Sequence, residues 1–222
     1  MRLKPTLLFF LLLSYTAVFA QEDSTDYDDE PNYWVKPSND EKSRFGIVMG
    51  IQMGSLLGTA LPENRPLIGL LGGAYGRFNF KSGWSLQQES HISFRGGNFV
   101  AQAGEISSIK LLYLDFPFMV FKRFSIKSKH RFGAGVQYSS LINSYMYVDY
   151  GSYPLGVSPK LDKSDWAPLI SYQYQFPYFA LQGSAKYGLR NLNQGQAWPE
   201  NAKPLNNSGM LNNFVVAVNL IF

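Results

Sequence analysis

The chain has no cysteine, which excludes a disulfide framework and the acylated cysteine of a lipoprotein. It also lacks a long apolar run past Ala20, because Gly, Pro, Asn, Gln or a charge recurs every few residues through to Phe222. A spanning helix needs about 20 consecutive apolar residues, so a helical membrane protein is excluded. Histidine is scarce, with only His91 and His130, and no Asp-x-Asp run stands at ligand spacing in a loop; neither a metal site nor any other cofactor site is expected. Glycines 46, 50, 54, 72, 73, 76, 133 and 135 form no phosphate-binding loop that opens a helix. In strands they permit bends and the close approach of neighbours.

What is present begins with an export signal. Arg2 and Lys4 precede an apolar run from Leu7 to Leu13, and Val18-Phe19-Ala20 supplies a cleavage site. Ser14, Tyr15 and Thr16 end the run too early for a membrane anchor, so residues 1–20 read as a signal peptide. Charge then divides the remainder. Residues 21–43 hold eight acids and two lysines, a net −6, whereas residues 44–222 hold eight acids and sixteen Lys or Arg, a net +8. The acidic stretch is poor in aliphatics and has no apolar period, so it reads as a flexible periplasmic segment. The cations of the rest are scattered, not clustered on one motif, which argues against nucleic acid as a partner. Anionic lipid head groups account for a basic surface more simply.

From Arg44 the pattern is strand-like. Phe45, Ile47, Met49, Ile51 and Met53 alternate with Gly46, Val48, Gly50, Gln52 and Gly54, and a period of two means that successive side chains face opposite sides. The clearest case runs from Gly83 to Arg95, where Trp84, Leu86, Ile92 and Phe94 alternate with a polar row of Ser85, Gln87, Glu89, His91, Ser93 and Arg95. Further strands are expected at 67–80, 109–122, 131–142, 166–176, 178–190 and 210–222, which makes eight. Their connections alternate: long at 55–66, 96–108, 143–165 and 191–209, short at 81–83, 123–130 and 176–178. A sandwich with Greek-key crossings has no reason to segregate loop lengths in this way. An eight-stranded antiparallel transmembrane β-barrel does, with short periplasmic turns and long extracellular loops. Residues 44–222 are therefore expected to form a bacterial outer-membrane barrel, with Phe80, Trp84, Phe118, Phe176, Phe179 and Phe222 in one interfacial girdle and Phe94, Tyr138, Trp166 and Tyr187 in the other.

Leu112-Tyr113-Leu114-Asp115-Phe116-Pro117-Phe118 resembles the L-x-Y-L-E-I-P-L strand of the PorT-like porin-family outer-membrane β-barrels, with Asp115 where that family usually has Glu. Arg44 to Gly54, Gly133-Ala134-Gly135-Val136, Tyr187-Gly188-Leu189-Arg190-Asn191-Leu192 and the close at Phe222 are similar to its first, fifth, seventh and terminal strands. The resemblance implies an outer-membrane barrel, and some members of that group serve secretion or gliding. The ending Phe214 to Phe222, with apolar residues two apart and a terminal aromatic, looks like the signal read by the barrel-assembly machinery.

A barrel of about eight strands is just wide enough for side chains to fill. Inward Glu89 and Asp115 are thus expected to be compensated by Arg77, Lys186 or Arg190 in a lumen charge network, leaving no open pore. His91 and Ser93, with Glu89 nearby, are similar to the His-x-Ser pair of outer-membrane lipid A deacylases. On one strand at spacing two, however, all three face the lumen and not lipid. Tyr145, Tyr147, Tyr150 and Tyr153 mark a candidate partner-binding loop. The favoured function is a non-enzymatic structural or partner-binding barrel, in contact with outer-membrane lipid and meeting a protein partner at its extracellular loops or acidic tail. The alternatives are a component of a transport or secretion system and a surface lipid A hydrolase.

Overall fold

The computed structural model describes residues 44–60, 64–80, 83–100, 106–125, 128–150, 153–157, 161–193 and 209–222. The expected signal peptide, 1–20, and acidic segment, 21–43, lie outside these residues. Among the described residues nine strands follow one another: β1 (Arg44–Leu57), β2 (Arg65–Asn79), β3 (Trp84–Val100), β4 (Ile106–Arg123), β5 (His130–Tyr150), β6 (Tyr153–Val157), β7 (Ser164–Gln175), β8 (Ala180–Tyr187) and β9 (Asn212–Ile221). The order β4-β3-β2-β1-β9-β8-β7-β5 is closed by pairing of β4 with β5, so eight strands form an antiparallel barrel. Strand β6 adds only a hairpin to the end of β5, with Met146 opposite Val157 and Tyr150 opposite Tyr153. Closure leaves the ring no exposed edge.

Side chains are sorted inside out relative to a water-soluble protein. The largest fully buried side chains are Arg77 and Arg131, whereas Ile47, Ile51, Leu70 and Ile170 are more than half exposed. A soluble fold would bury the second group and expose the first. A contiguous apolar outer surface with a charged interior is what a strand wall between lipid and a filled lumen requires.

Two irregularities shape the wall. The β2–β3 register shifts between Pro66 and Leu71, and Gln52 Nε2 donates to the Phe94 carbonyl at 2.9 Å from across β2. The β4–β5 register shifts between Leu112 and Tyr113, with Ile142 as the unpaired residue of β5. A bulge of this kind reverses which alternate residues face outward. Ser139 is buried before it, and Ser144 and Met146 are buried after it, so Tyr145 comes to the outer face.

A third break follows from Pro117, which has no N–H to give the ladder. The β3–β4 pairing is interrupted between Gln88↔Phe118 and His91↔Asp115, and the side-chain amide of Gln88 donates to the Glu89 carbonyl at 3.0 Å. A polar residue on the outer wall thus satisfies a backbone group that the proline leaves out of the ladder.

The loop pattern differs from expectation at one end. Strands β3 and β4 run on to Val100 and from Ile106, so their connection is residues 101–105 and not 96–108. Gly96-Gly97 reads as a stop, yet Gly96 holds φ 157° in the strand and an added Cβ would lie 1.8 Å from the Ile109 carbonyl oxygen. Glycine permits the strands to stay paired there. The segment 143–165, expected as a loop, is largely the β5–β6 hairpin. The β2–β3, β4–β5 and β7–β8 connections lie at the opposite end.

Candidate functional site

Inward residues of β3 form the axis of the interior: Ser85, Gln87, Glu89, His91, Ser93 and Arg95 are all buried because they alternate with a lipid-facing row. Strand β4 adds Tyr113, Asp115 and Met119, β5 adds Gln137, and β8 adds Gln182 and Lys186.

Asp115 is the hub. Ser93 Oγ donates to its Oδ2 at 2.6 Å. Arg95 Nη2 lies 3.3 Å from Oδ1, His91 Nε2 3.5 Å from Oδ2 and Lys186 Nζ 3.7 Å from Oδ2. Lys186 Nζ also donates to Gln137 Oε1 at 2.9 Å. The Arg95 guanidinium stacks on Tyr113, 3.9 Å from the ring centroid, and Asn213 Nδ2 donates to the Tyr113 hydroxyl at 3.3 Å. A fully buried carboxylate is tolerated only when opposite charges and donors surround it, and Asp115 has both.

Glu89 is held differently. Gln87 Nε2 and Gln182 Nε2 donate to its Oε1 at 2.5 and 3.1 Å, while Oε2 lies 3.6 Å from His91 Nδ1. Arg77 does not reach it directly. Its Nε and Nη2 donate to Gln87 Oε1 at 2.8 and 2.5 Å, so the amide of Gln87 relays between cation and carboxylate. His91 bridges the two carboxylates and links the Glu89 and Asp115 groups into one network.

Arg190 requires a correction. It does not enter the lumen: its side chain is 52 % exposed and pairs with Asp162 at 2.8 Å, with Nη1 donating to Ser164 Oγ at 2.5 Å. Strand β8 ends at Tyr187, so the strand parity that aimed Arg190 inward stops before reaching it. Gly188 lies against Asp165, whose Oδ2 would be 2.2 Å from an added Cβ. The Arg190 N–H donates to Asp165 Oδ1 at 3.2 Å, and Asn212 Nδ2 donates to the Gly188 carbonyl at 2.9 Å. The cation that sequence reasoning omitted is Arg95, which stands in the same inward row as Glu89. Only the register that sets His91 opposite Asp115 reveals its partner.

Beyond the charges, toward the long-loop end, the interior turns apolar. Leu56, Phe99, Ile109, Leu111, Tyr113 and Met146 from the strands pack with Leu161, Leu192 and Leu211 from the connections. Backbone bonds from Asp162 N to Leu192 O and from Leu192 N to Leu211 O, at 2.9 and 2.8 Å, hold these connections together. Within the network a cavity of about 10 Å³ is lined by residues including Glu89, His91, Gln137 and Lys186, room for about one water molecule.

Of the tyrosines, Tyr145 and Tyr147 stand on the wall with ring centroids 6.5 Å apart. Tyr150 and Tyr153 pair across the hairpin, and their side chains lie outside the described residues. At the short-turn end a run of rings follows the rim: Phe124–Phe132 at 5.0 Å, Phe132–Tyr172 at 4.9 Å, Tyr174–Phe176 at 4.7 Å and Phe176–Phe179 at 4.6 Å. Aromatic girdles of this kind sit at head-group depth.

The family model described as outer membrane protein beta-barrel domain matches residues 19–194. The chain belongs to that family. It is a bacterial outer-membrane β-barrel protein. Among solved structures, the chain is similar to Neisserial surface protein A (10% identity, 81% of this chain and 97% of that one, TM-score 0.49). It is also similar to Ail, the attachment invasion locus protein of Yersinia pestis, solved with the heparin analogue sucrose octasulfate (12%, 82% and 100%, TM-score 0.46). A third is OprG from Pseudomonas aeruginosa (10%, 80% and 91%, TM-score 0.42). No curated protein matches the sequence.

Proposed function

We propose that this barrel is a non-enzymatic structural or partner-binding protein of the outer membrane, not a conduit. The observation that carries the reading is the blocked interior: a paired network centred on Asp115, an apolar cap above it, and a cavity of about 10 Å³. Solute passage requires a continuous aqueous path, and two barriers of opposite chemistry stand in series across this one. Function then falls to the surfaces that leave the membrane, namely the β5–β6 hairpin with Tyr150 and Tyr153 and the connections around Leu161 and Leu192.

The hydrolase alternative loses its geometric basis. Ser93 donates to Asp115 and not to His91, and both residues are buried in the lumen. A nucleophile needs a base within hydrogen-bond reach and a path for substrate. A role in a transport or secretion assembly remains only as scaffold, since the barrel itself offers no path. Within the family we favour the PorT-like group, and the fold supplies a physical basis for the motif behind that resemblance. Tyr113, Asp115 and Pro117 form its lumen row, while Leu112, Leu114, Phe116 and Phe118 form its lipid row.

The test is in-cell photo-crosslinking from positions 150 and 153. Specific, reproducible protein adducts are expected. Absence of any specific adduct from either position in a correctly assembled barrel would sink the partner-binding reading.

A further inference from the structure

The outer wall of β3, β4 and β5 is apolar through Ile92, Phe94 and Ile142, each about half exposed. One step further toward the long-loop end the chemistry changes abruptly. Lys110 stands outward on β4, opposite Gly96 on one side and Tyr145 on the other. Gly96 is buried, and the Ile109 carbonyl oxygen and Leu67 occupy the place its side chain would take. Across the other seam, Lys110 Nζ lies 4.5 Å from the centroid of the Tyr147 ring, and Asn143 Nδ2 donates to the Tyr145 hydroxyl at 2.5 Å. In the next row Ser108 Oγ donates to Asn98 Oδ1 at 2.7 Å, and exposed Arg65 on β2 is the register partner of Asn98.

The bulge at Ile142 explains why Lys110 meets the two tyrosines. Without it, the alternation of β5 would send Tyr145 inward and Met146 outward; with it, Met146 joins the apolar cap and Tyr145 is 44 % exposed on the wall. Bulges that re-aim side chains are features placed for use, not defects.

We propose that Lys110, Arg65, Tyr145 and Tyr147 bind the phosphorylated head group of an outer-leaflet glycolipid. The site rests on the reading that the long-loop end faces outside the cell. An ammonium and a guanidinium attract the phosphate, with charge-assisted hydrogen bonds stronger than neutral ones. The tyrosines sit at head-group depth with rings toward the sugar and hydroxyls toward its oxygens. The acyl chains lie along Phe94, Leu112 and Ile142, directly below. Charge and level together favour a lipid occupant over a protein one, because the patch continues the lipid-facing surface instead of crowning the hairpin.

Native mass spectrometry of the full chain in detergent, offered lipid A carrying both phosphates or the same lipid stripped of them, tests the site. The phosphorylated form should be retained preferentially, and Lys110→Glu and Arg65→Glu should each lower its retention by roughly five-fold or more, five-fold being the scale of losing one basic side chain at an anionic surface. Lys110→Arg should preserve it, and heat-modifiable gel migration identifies variants that fold. Equal retention of the two lipids by the native chain, or retention unchanged in folded Lys110→Glu and Arg65→Glu variants, overturns the proposal. So does binding of inorganic phosphate as tight as that of the lipid, which would mark a site for the free ion, and so does a protein adduct at position 145 that excludes lipid. An epitope inserted at residues 101–105 tests the orientation separately. Label that reaches it only after the outer membrane is opened overturns that reading, whereas loss of lipid selectivity with the epitope at the surface overturns the site alone.

Discussion

The interior and the outer wall of the barrel are built by the same strands from alternate residues, and they obey opposite rules. On β3, Glu89, His91, Ser93 and Arg95 are almost fully buried and bound to one another or to β4, while Ile92 and Phe94 between them are about half exposed. The interior is specified by pairing, so each group depends on particular partners. The wall is specified by the lipid that surrounds it, so any apolar side chain of about the right size serves. A charge belongs inside only with its counter-charges, and outside only toward the ends of the wall, where Lys110 and Arg65 stand.

The largest effect is expected where the pairing rule is broken. Asp115→Ala leaves Arg95, Lys186 and His91 around a missing carboxylate, and breaking one side of a buried pair costs about 3–5 kcal/mol. Denaturant unfolding of the barrel in lipid measures the loss, and a change under about 1 kcal/mol would show the interior to be hydrated instead of dry. Next comes the wall. Ile51→Arg, at a position 57 % exposed near the middle of β1, should cost about 2–4 kcal/mol in the same measurement, with no corresponding loss for Ile51→Leu. Smaller again is Gly188→Val, which drives a branched side chain into the Asp165 carboxylate. Overpacking of this kind costs about 1–3 kcal/mol, and faster proteolysis of the β8–β9 connection should accompany it. The smallest effect belongs to Arg190→Ala, since an exposed ion pair contributes at most about 1 kcal/mol. A loss there as large as that of Asp115→Ala would place Arg190 in the interior after all.

Alternation made most of the fold legible. Ile47, Met49 and Ile51 in one row and Gln87, Glu89 and His91 in another separate two faces without any knowledge of pairing, and the order of long and short connections is what assigns the apolar face to lipid. The candidate network was legible only in part, because parity tells which way a residue points and not what it meets. Glu89, Asp115, Lys186 and Arg77 point inward, but that Arg77 reaches Glu89 through Gln87, and that Arg95 faces Asp115, depends on register between strands. Register is set by bulges and turns, and Asn143-Ser144 beside the bulge at Ile142 reads as the start of a loop instead. Arg190 was misread for a related reason, since strand parity was carried past Tyr187 into a segment fixed by Asp165 and Asn212.

The claim of a filled lumen is tested most directly by planar-bilayer recording from the purified protein. The network around Asp115 and the cap around Leu192 predict no stable conductance at any holding potential. Large, stable conductance steps from pure, heat-modifiable protein would contradict it.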